Sequence, residues 1–206
     1  VKNPYVLAFD CSTPASSVAL AVGEMIHLKA LPNTKQAALL VPTIDTLLRE
    51  QNVGYGELSC IVSTVGPGSF TGLRVALATL HGLVQAHPVP IKTITSLEAM
   101  AWEVEKPRFH IALNAGKGEV FLQSFTRDER PIENTQIMLL KPEEALAMGD
   151  CYGNIHTPDH PHYIAGPSAA TLCRIADHLE ETQLAEVLPL YIRPPDAKIG
   201  EKPPWL

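Results

Sequence analysis

Three short strands, two strand–helix repeats and a shorter restart of the same pattern predict an α/β protein built of two ribonuclease-H-like lobes. The order legible in the first half is βββαβαβα, the order of one such lobe. The second half reopens at residue 109 with the same strand, polar residue, turn and strand. A chain of 206 residues is long enough for two small lobes of this kind. The first lobe is expected over residues 1–104 and the second, smaller one over 105–206, with a Pro-rich C-terminal tail.

Each element has its own warrant. Tyr5–Asp10 is an apolar run, followed after Cys-Ser-Thr-Pro-Ala by strands over 17–22 and 25–31, which tight turns join into a meander. Over 35–51, Ala37, Leu40, Val41, Ile44, Leu47 and Leu48 fall on one helical face. Pro42 is expected to kink that helix or mark its first turn. A strand at 60–65 leads through a glycine-rich loop into a helix ending near Ala86. After the strand 91–95, Ser96 is the expected cap of a helix over 97–104, with Glu98 in its first turn. The second half gives strands at 109–114 and 119–125 around Ala-Gly-Lys-Gly, and a strand at 136–140. A short helix from about Glu143, a strand at 163–165 and a helix over 168–179 follow. The tail after Leu190 is expected to be extended.

Composition narrows the function classes. The net charge is −6 and the sequence has no lysine or arginine run. Phosphate contacts supply most nucleic-acid affinity, so any role on RNA is expected to pass through a partner. No apolar run approaches the ~20 residues that span a bilayer, and no signal peptide is expected. Cys11, Cys60, Cys151 and Cys173 lack CxxC spacing and read as reduced, buried thiols of a cytoplasmic protein.

The stretch "STVGPGSFTGLR" resembles a phosphate cradle at first sight. Gly66, Gly68 and Gly72 are spaced GxGxxxG, whereas a dinucleotide fingerprint is GxGxxG and a P-loop ends in GK[ST]. Pro67 also removes one N–H that a cradle would use. The stretch is therefore a strand-to-helix turn, Gly66 to Gly72 with Ser69 and Phe70 at the helix start and Arg74 just inside. In the helix, Leu73, Leu77, Leu80 and Val84 form one stripe. Val75, Ala78, Thr79, Gly82 and Ala86 lie roughly opposite, small and uncharged where a surface helix would carry charge. Such a face is either buried within its own domain or meets a partner helix at close range; its composition favours the partner.

Other constellations are weaker. Asp10, Ser12 and Thr13 follow the first strand, where actin-like and sugar-kinase-like ATPases hold phosphate and metal. The matching position in the second half is Asn114, with Gly116 after it, and supplies no second carboxylate. Ala165-Gly166-Pro167 stands where a Gly-Gly pair would be needed. Cys151, His156, His160 and His162 have a nominal metal spacing, but two prolines make their segment a loop, and no metal site is expected.

Taken together, "VLAFDCSTPASSVALAV", "LLVPTIDTLLRE", "GPGSFTGLRVALATLHGL", "GEVF" and "PLYIRPP" resemble the bacterial TsaB (YeaZ) family, paralogues of TsaD. The resemblance covers most of the first 125 residues and thins toward the C-terminus. It implies an actin-like (ASKHA) two-lobe fold and a role in installing threonylcarbamoyl on the adenosine next to the anticodon of tRNAs. It also implies that the chain is not the catalyst but scaffolds a TsaD-like paralogue and helps dock a TsaE-like ATPase, with homodimers when alone. No cofactor is expected on this chain by itself; a nucleotide would sit at a subunit junction of the complex. The first-lobe helices carry the implied contacts, which adds Leu39, Thr43, Thr46 and Thr71 to the small face. Two positions depart from the family pattern: Gln36 stands where a His is frequent, and Asn114 where an Asp opens the second lobe. The rival reading is an independent ATPase, phosphotransferase or peptidase-like hydrolase, supported only by Asp10, Ser12 and Thr13. The paired metal-holding histidines of the catalytic paralogue are absent.

Overall fold

Successive side chains of a strand point to opposite faces, and in β1 (Tyr5–Asp10) both faces are apolar. In the computed structural model, which describes residues 5–155 and 162–192, each face meets a different helical layer. Leu7 and Phe9 pack with Leu40, Ile44, Leu47, Ala76, Leu77 and Leu80. Val6 and Ala8 pack with Ala169, Leu172 and Ile175. The helices of the first layer are α1 (Gln36–Glu50) and α2 (Phe70–Ala86); the second layer is α5 (Ala169–Ile175). Burying one Leu or Phe in such a layer stabilises the fold by roughly 1.5–3 kcal/mol.

β1 lies at the centre of the first sheet, whose order is β3-β2-β1-β4-β5. The meander β1, β2 (Ser17–Val22) and β3 (Met25–Ala30) is antiparallel. β4 (Cys60–Thr64) and β5 (Ile91–Ile94) continue the sheet in parallel. The second sheet has β6 (Arg108–Gly116) and β7 (Glu119–Arg127) as an antiparallel hairpin. β8 (Pro131–Glu133) and β9 (Met138–Leu140) pair successive parts of β7, while β10 (Cys151–Gly153) runs parallel to β6. α4 (Pro142–Ala147) brings Ala145 onto Ala112, Val120 and Leu122. α3 (Ser96–Ala101) covers the other face, its Leu97 and Met100 meeting Phe109, Ile111, Phe121 and Phe125. Each sheet is thus covered by a helix that the chain order attaches to the other.

Several local expectations are corrected. Thr95, not Ser96, caps α3: its Oγ1 accepts from the Glu98 amide at 3.1 Å, and Glu98 Oε2 accepts from the Thr95 amide at 2.9 Å. In α1, Ala37 and Val41 are exposed, and Gln36 is buried instead. Pro42 sits within the helix on its exposed side, where no tertiary contact opposes the ring. β8 and β10 were not legible, and the expected strand at 163–165 is only a single bridge from Tyr163 to Gly153. The expected helix over 168–179 is α5 followed by a 3-10 turn at Ala176–His178. No helix among the described residues is long and apolar enough to cross a membrane.

One side chain ties the sheets' helices together. Arg127 of β7 donates through Nη1 to the carbonyls of Val104 (2.9 Å), Trp102 (3.3 Å) and Ala101 (3.4 Å) at the C-terminus of α3, where the helix dipole favours a cation. Nη2 meets Glu105 at 3.1 Å, but the Glu105 side chain is 82% exposed against 15% for Arg127. Charge-assisted bonds to a buried terminus outweigh an exposed ion pair. Arg127→Ala is expected to destabilise by about 2–3 kcal/mol, or roughly 5–10 °C in Tm, and Glu105→Ala by less than about 1 kcal/mol. Thermal denaturation of both variants checks the ranking.

Candidate functional site

β1 ends in the corner where a phosphate would be held, and the structure fills that corner with protein. Asp10 is fully buried, and Ser12 and Thr13 are each 2% exposed. The Asp10 carboxylate accepts from the Ser12 amide at 3.1 and 3.2 Å and from the Thr64 hydroxyl. Burial pushes its carboxyl up to about 6 despite those bonds. Gln36 reaches in from α1, donating through Nε2 to Ser16 Oγ at 2.5 Å and to the Thr13 carbonyl at 3.4 Å.

The glycine loop closes the corner from above. A Cβ on Gly68 would lie 2.3 Å from the Ser12 carbonyl oxygen, and one on Gly72 would lie 1.8 Å from that of Cys11. From the other side, a Cβ on Gly166 would lie 2.2 Å from Thr13 Oγ1. The Ser69 amide donates to the Ser12 carbonyl at 2.7 Å, while its hydroxyl caps α2 by accepting from the Gly72 amide at 3.2 Å. These glycines allow two backbones to touch. The Gly72 amide is spent on the Ser69 cap.

The second half contributes a separate, exposed turn. Asn114 Oδ1 accepts from the Gly116 amide at 2.7 Å, and the Asn114 amide donates to the buried Asn154 at 2.6 Å. Gly116 and Gly118 take φ of +72° and +70° to close the β6–β7 hairpin. Of the histidine-rich stretch, His156 and His160 lie outside the described residues. His162 stacks on Tyr152 with ring centroids 4.4 Å apart. Cys151 is buried in β10, and its thiol is pushed up to about 11 by burial. Among the described residues, no group of three or more His, Cys, Asp or Glu could hold a metal ion.

The outward side of the α1–α2 layer has a different character. Leu73, Leu77 and Leu80 are buried and Val84 is half-buried, while Thr71, Ala78, Gly82 and Ala86 are exposed and Val75 and Thr79 half-buried. On α1, Thr46 is exposed and Leu39 and Thr43 are half-buried. A Cβ on Gly82 would meet nothing within 4 Å. At the head of this face Arg74 lies over the Phe70 ring, 3.8 Å from its centroid, and donates through Nε to Tyr191 at 3.3 Å. The two rings are 5.2 Å apart. The "GPGSFTGLR" and "PLYIRPP" stretches therefore meet here. The sequence places Phe70 and Arg74 in the turn motif, marks Gln36 and Gly166 only as departures from expected patterns, and assigns Tyr191 no role. Tyr191 carried a signal, since it lies inside the second of those stretches.

Comparison with known proteins now bears on this arrangement. A family model described as "TsaD: tRNA N6-adenosine threonylcarbamoyltransferase" matches residues 33–198. Two relatives named tRNA threonylcarbamoyladenosine biosynthesis protein TsaB are similar. That of Haemophilus influenzae is 32% identical over 134 residues, 63% of this chain and 57% of the relative. That of Escherichia coli is 31% identical over 147 residues, 67% of this chain and 63% of the relative. Of solved structures, YeaZ from Pseudomonas aeruginosa superposes with TM-score 0.77 at 25% identity, covering 90% of this chain and 100% of that one. A P. aeruginosa protein with similarity to peptidase YeaZ gives TM-score 0.78 at 26% identity, with 92% and 99% covered. The chain belongs to the TsaB (YeaZ) family. Its two mixed sheets form the actin-like ASKHA fold of that family. The matches span 57% and 63% of the lengths of the two TsaB relatives.

Two predictions follow from the filled corner. Gly72→Ala and Gly82→Ala change the same helix by one methyl group, and propensity alone would favour both by about 0.8–1 kcal/mol. Gly72→Ala is instead expected to destabilise by about 1–3 kcal/mol because Cβ meets the Cys11 carbonyl, while Gly82→Ala raises Tm by a few degrees. Opposite signs in parallel melts are the check. Asp10 titrates higher folded than unfolded, so its contribution is fully present below its ordinary value of 3.8 and is lost as pH rises through about 6. Relative to wild type, Asp10→Asn should gain stability between pH 4 and pH 7, by on the order of 2–3 kcal/mol. Urea denaturation at several pH values reads that difference.

Proposed function

We propose that this chain is a non-catalytic, cytoplasmic subunit of the machinery that installs threonylcarbamoyl on the adenosine next to the anticodon of tRNAs. The observation that carries the reading is one stripe on the outer face of α2. It is small, uncharged and accessible at Thr71, Ala78, Gly82 and Ala86, in a family whose model is that of the transferase itself. Small side chains let a partner helix approach closely. A TsaD-like paralogue docks there and keeps the transferase chemistry in its own site; a TsaE-like ATPase joins the pair. In the absence of the paralogue the same face serves a homodimer.

The filled corner supports the non-catalytic part. Phosphoryl transfer needs an accessible carboxylate and metal beside the phosphates, and Asp10 is buried under Gly68 with its oxygens occupied by Ser12 and Thr64. Any nucleotide of the complex therefore belongs at a subunit junction. At net charge −6 there is little counterion release to drive direct tRNA binding, so tRNA is reached through the complex.

Gly82→Arg tests the docking face. Nothing in the monomer opposes the side chain, and leaving Gly favours the helix by roughly 0.8–1 kcal/mol. The diluted, monomeric variant is expected to melt no lower than wild type, yet to lose at least tenfold in affinity for the TsaD-like paralogue. Dilution matters because self-association raises apparent stability. Retained affinity with a destabilised monomer would overturn the reading.

A further inference from the structure

We propose that Arg74, fixed between Phe70 and Tyr191, is the anchor that receives a carboxylate of the paralogous partner; this rests on the α1–α2 docking face above. The cluster is built from two segments distant in sequence, which the fold brings into contact. Arg74 lies 3.8 Å above Phe70 and spends its Nε–H on Tyr191 Oη. The backbone beneath Tyr191 is pinned: the Leu190 amide donates to the Val65 carbonyl at 2.7 Å, and His81 Nε2 lies 3.1 Å from the Val187 carbonyl. Yet the side chains face solvent, with Phe70 49% and Tyr191 43% exposed.

The unused donors define the ligand. Among the described residues the Nη1 and Nη2 groups of Arg74 have no acceptor and no carboxylate within 4.0 Å, whereas Lys29 and Arg49 pair with Glu50 and Asp45. A guanidinium held edge-outward takes a carboxylate or phosphate bidentately. Placement selects the carboxylate. Arg74 is adjacent to Val75 and one turn before Ala78 on α2, so it borders the small face on which a helix packs. The acidic chain as a whole repels a polyanion such as RNA. Exposed arginine and aromatic side chains that are already ordered are also the groups that dominate binding energy at protein interfaces.

The test uses the full chain and the TsaD-like paralogue of the same organism, with affinity measured by calorimetry at low and high salt. Arg74→Ala is expected to weaken binding at least tenfold and to flatten its salt dependence, with the monomer's Tm unchanged. Arg74→Lys should recover only part of the loss, because an ammonium does not match the fork. Tyr191→Phe should keep the ring and lose about threefold as the guanidinium is freed. If Arg74→Ala binds like wild type while Gly82→Arg does not, this inference fails and the docking face stands. If neither variant changes affinity, both fail. If Arg74→Ala leaves the paralogue bound but weakens tRNA binding by the assembled complex, the target is a phosphate and the inference is overturned. A fall in monomer Tm that accounts for the lost affinity would likewise overturn it.

Discussion

The contact on which the structure turns is the one between the start of α2 and the loop after β1. Gly72 approaches Cys11 and Gly68 approaches Ser12 so closely that no side chain fits between them. That approach sets where α2 begins, and with the Ser69 cap it sets which residues face the sheet. Leu77 and Leu80, with Ala76, then pack against β1 and β4, Leu73 is buried beside Gly66, and Thr71, Ala78, Gly82 and Ala86 are left on the outward side. The same contact closes the phosphate corner. A filled site and a free helical surface are thus two consequences of one backbone packing.

How much of this was legible in the sequence depends on the range of the interaction. Period-2 and period-3.6 patterns are local, and they placed β1 to β7 and α1 to α5 to within a few residues. The two stripes of α2 were readable for the same reason. β8 and β10, three residues each, were not, because so short a run carries no periodicity of its own and exists only as a partner for β7 and β6. Val41 shows another limit: it lies at the margin of the apolar stripe of α1, about 100° round from the buried Leu40, and is exposed, while Gln36 takes a buried place beside Ser16 and Thr13. The meeting of Arg74 with Tyr191 joins positions 117 residues apart, and no local pattern encodes it.

The exchange of helices between the sheets follows similar logic. α5 is almost entirely small or apolar, with six of its seven residues buried, because it crosses back to cover Val6, Ala8, Ala19 and Val62. α3 makes the reciprocal crossing onto Phe109 and Phe125, and Arg127 finishes its C-terminus from the second sheet. Neither sheet can bury its second face without a segment from the other half. The division at residue 104/105 read from the element order therefore describes the chain's repeat, whereas packing interlaces the halves.

This interlacing bears on how the outer surface of α2 is left accessible. Because α2 is fixed at its first turn by glycine contacts and along its length by the shared core of α1 and the sheet, its exposed residues Thr71, Ala78, Gly82 and Ala86 stay out of that core, whereas Val75 packs against it. Gly82 illustrates the point: it stands mid-helix, a position that costs about 1 kcal/mol relative to Ala, with open space where its side chain would be. Packing within the chain does not account for a glycine there. The proposed docking of a second helix would account for it, and the cluster of Phe70, Arg74 and Tyr191 lies at the head of the same helix. On the proposed reading, a mid-helix glycine with open space where its side chain would be and an arginine whose Nη groups find no acceptor among the described residues both belong to a surface that meets another chain.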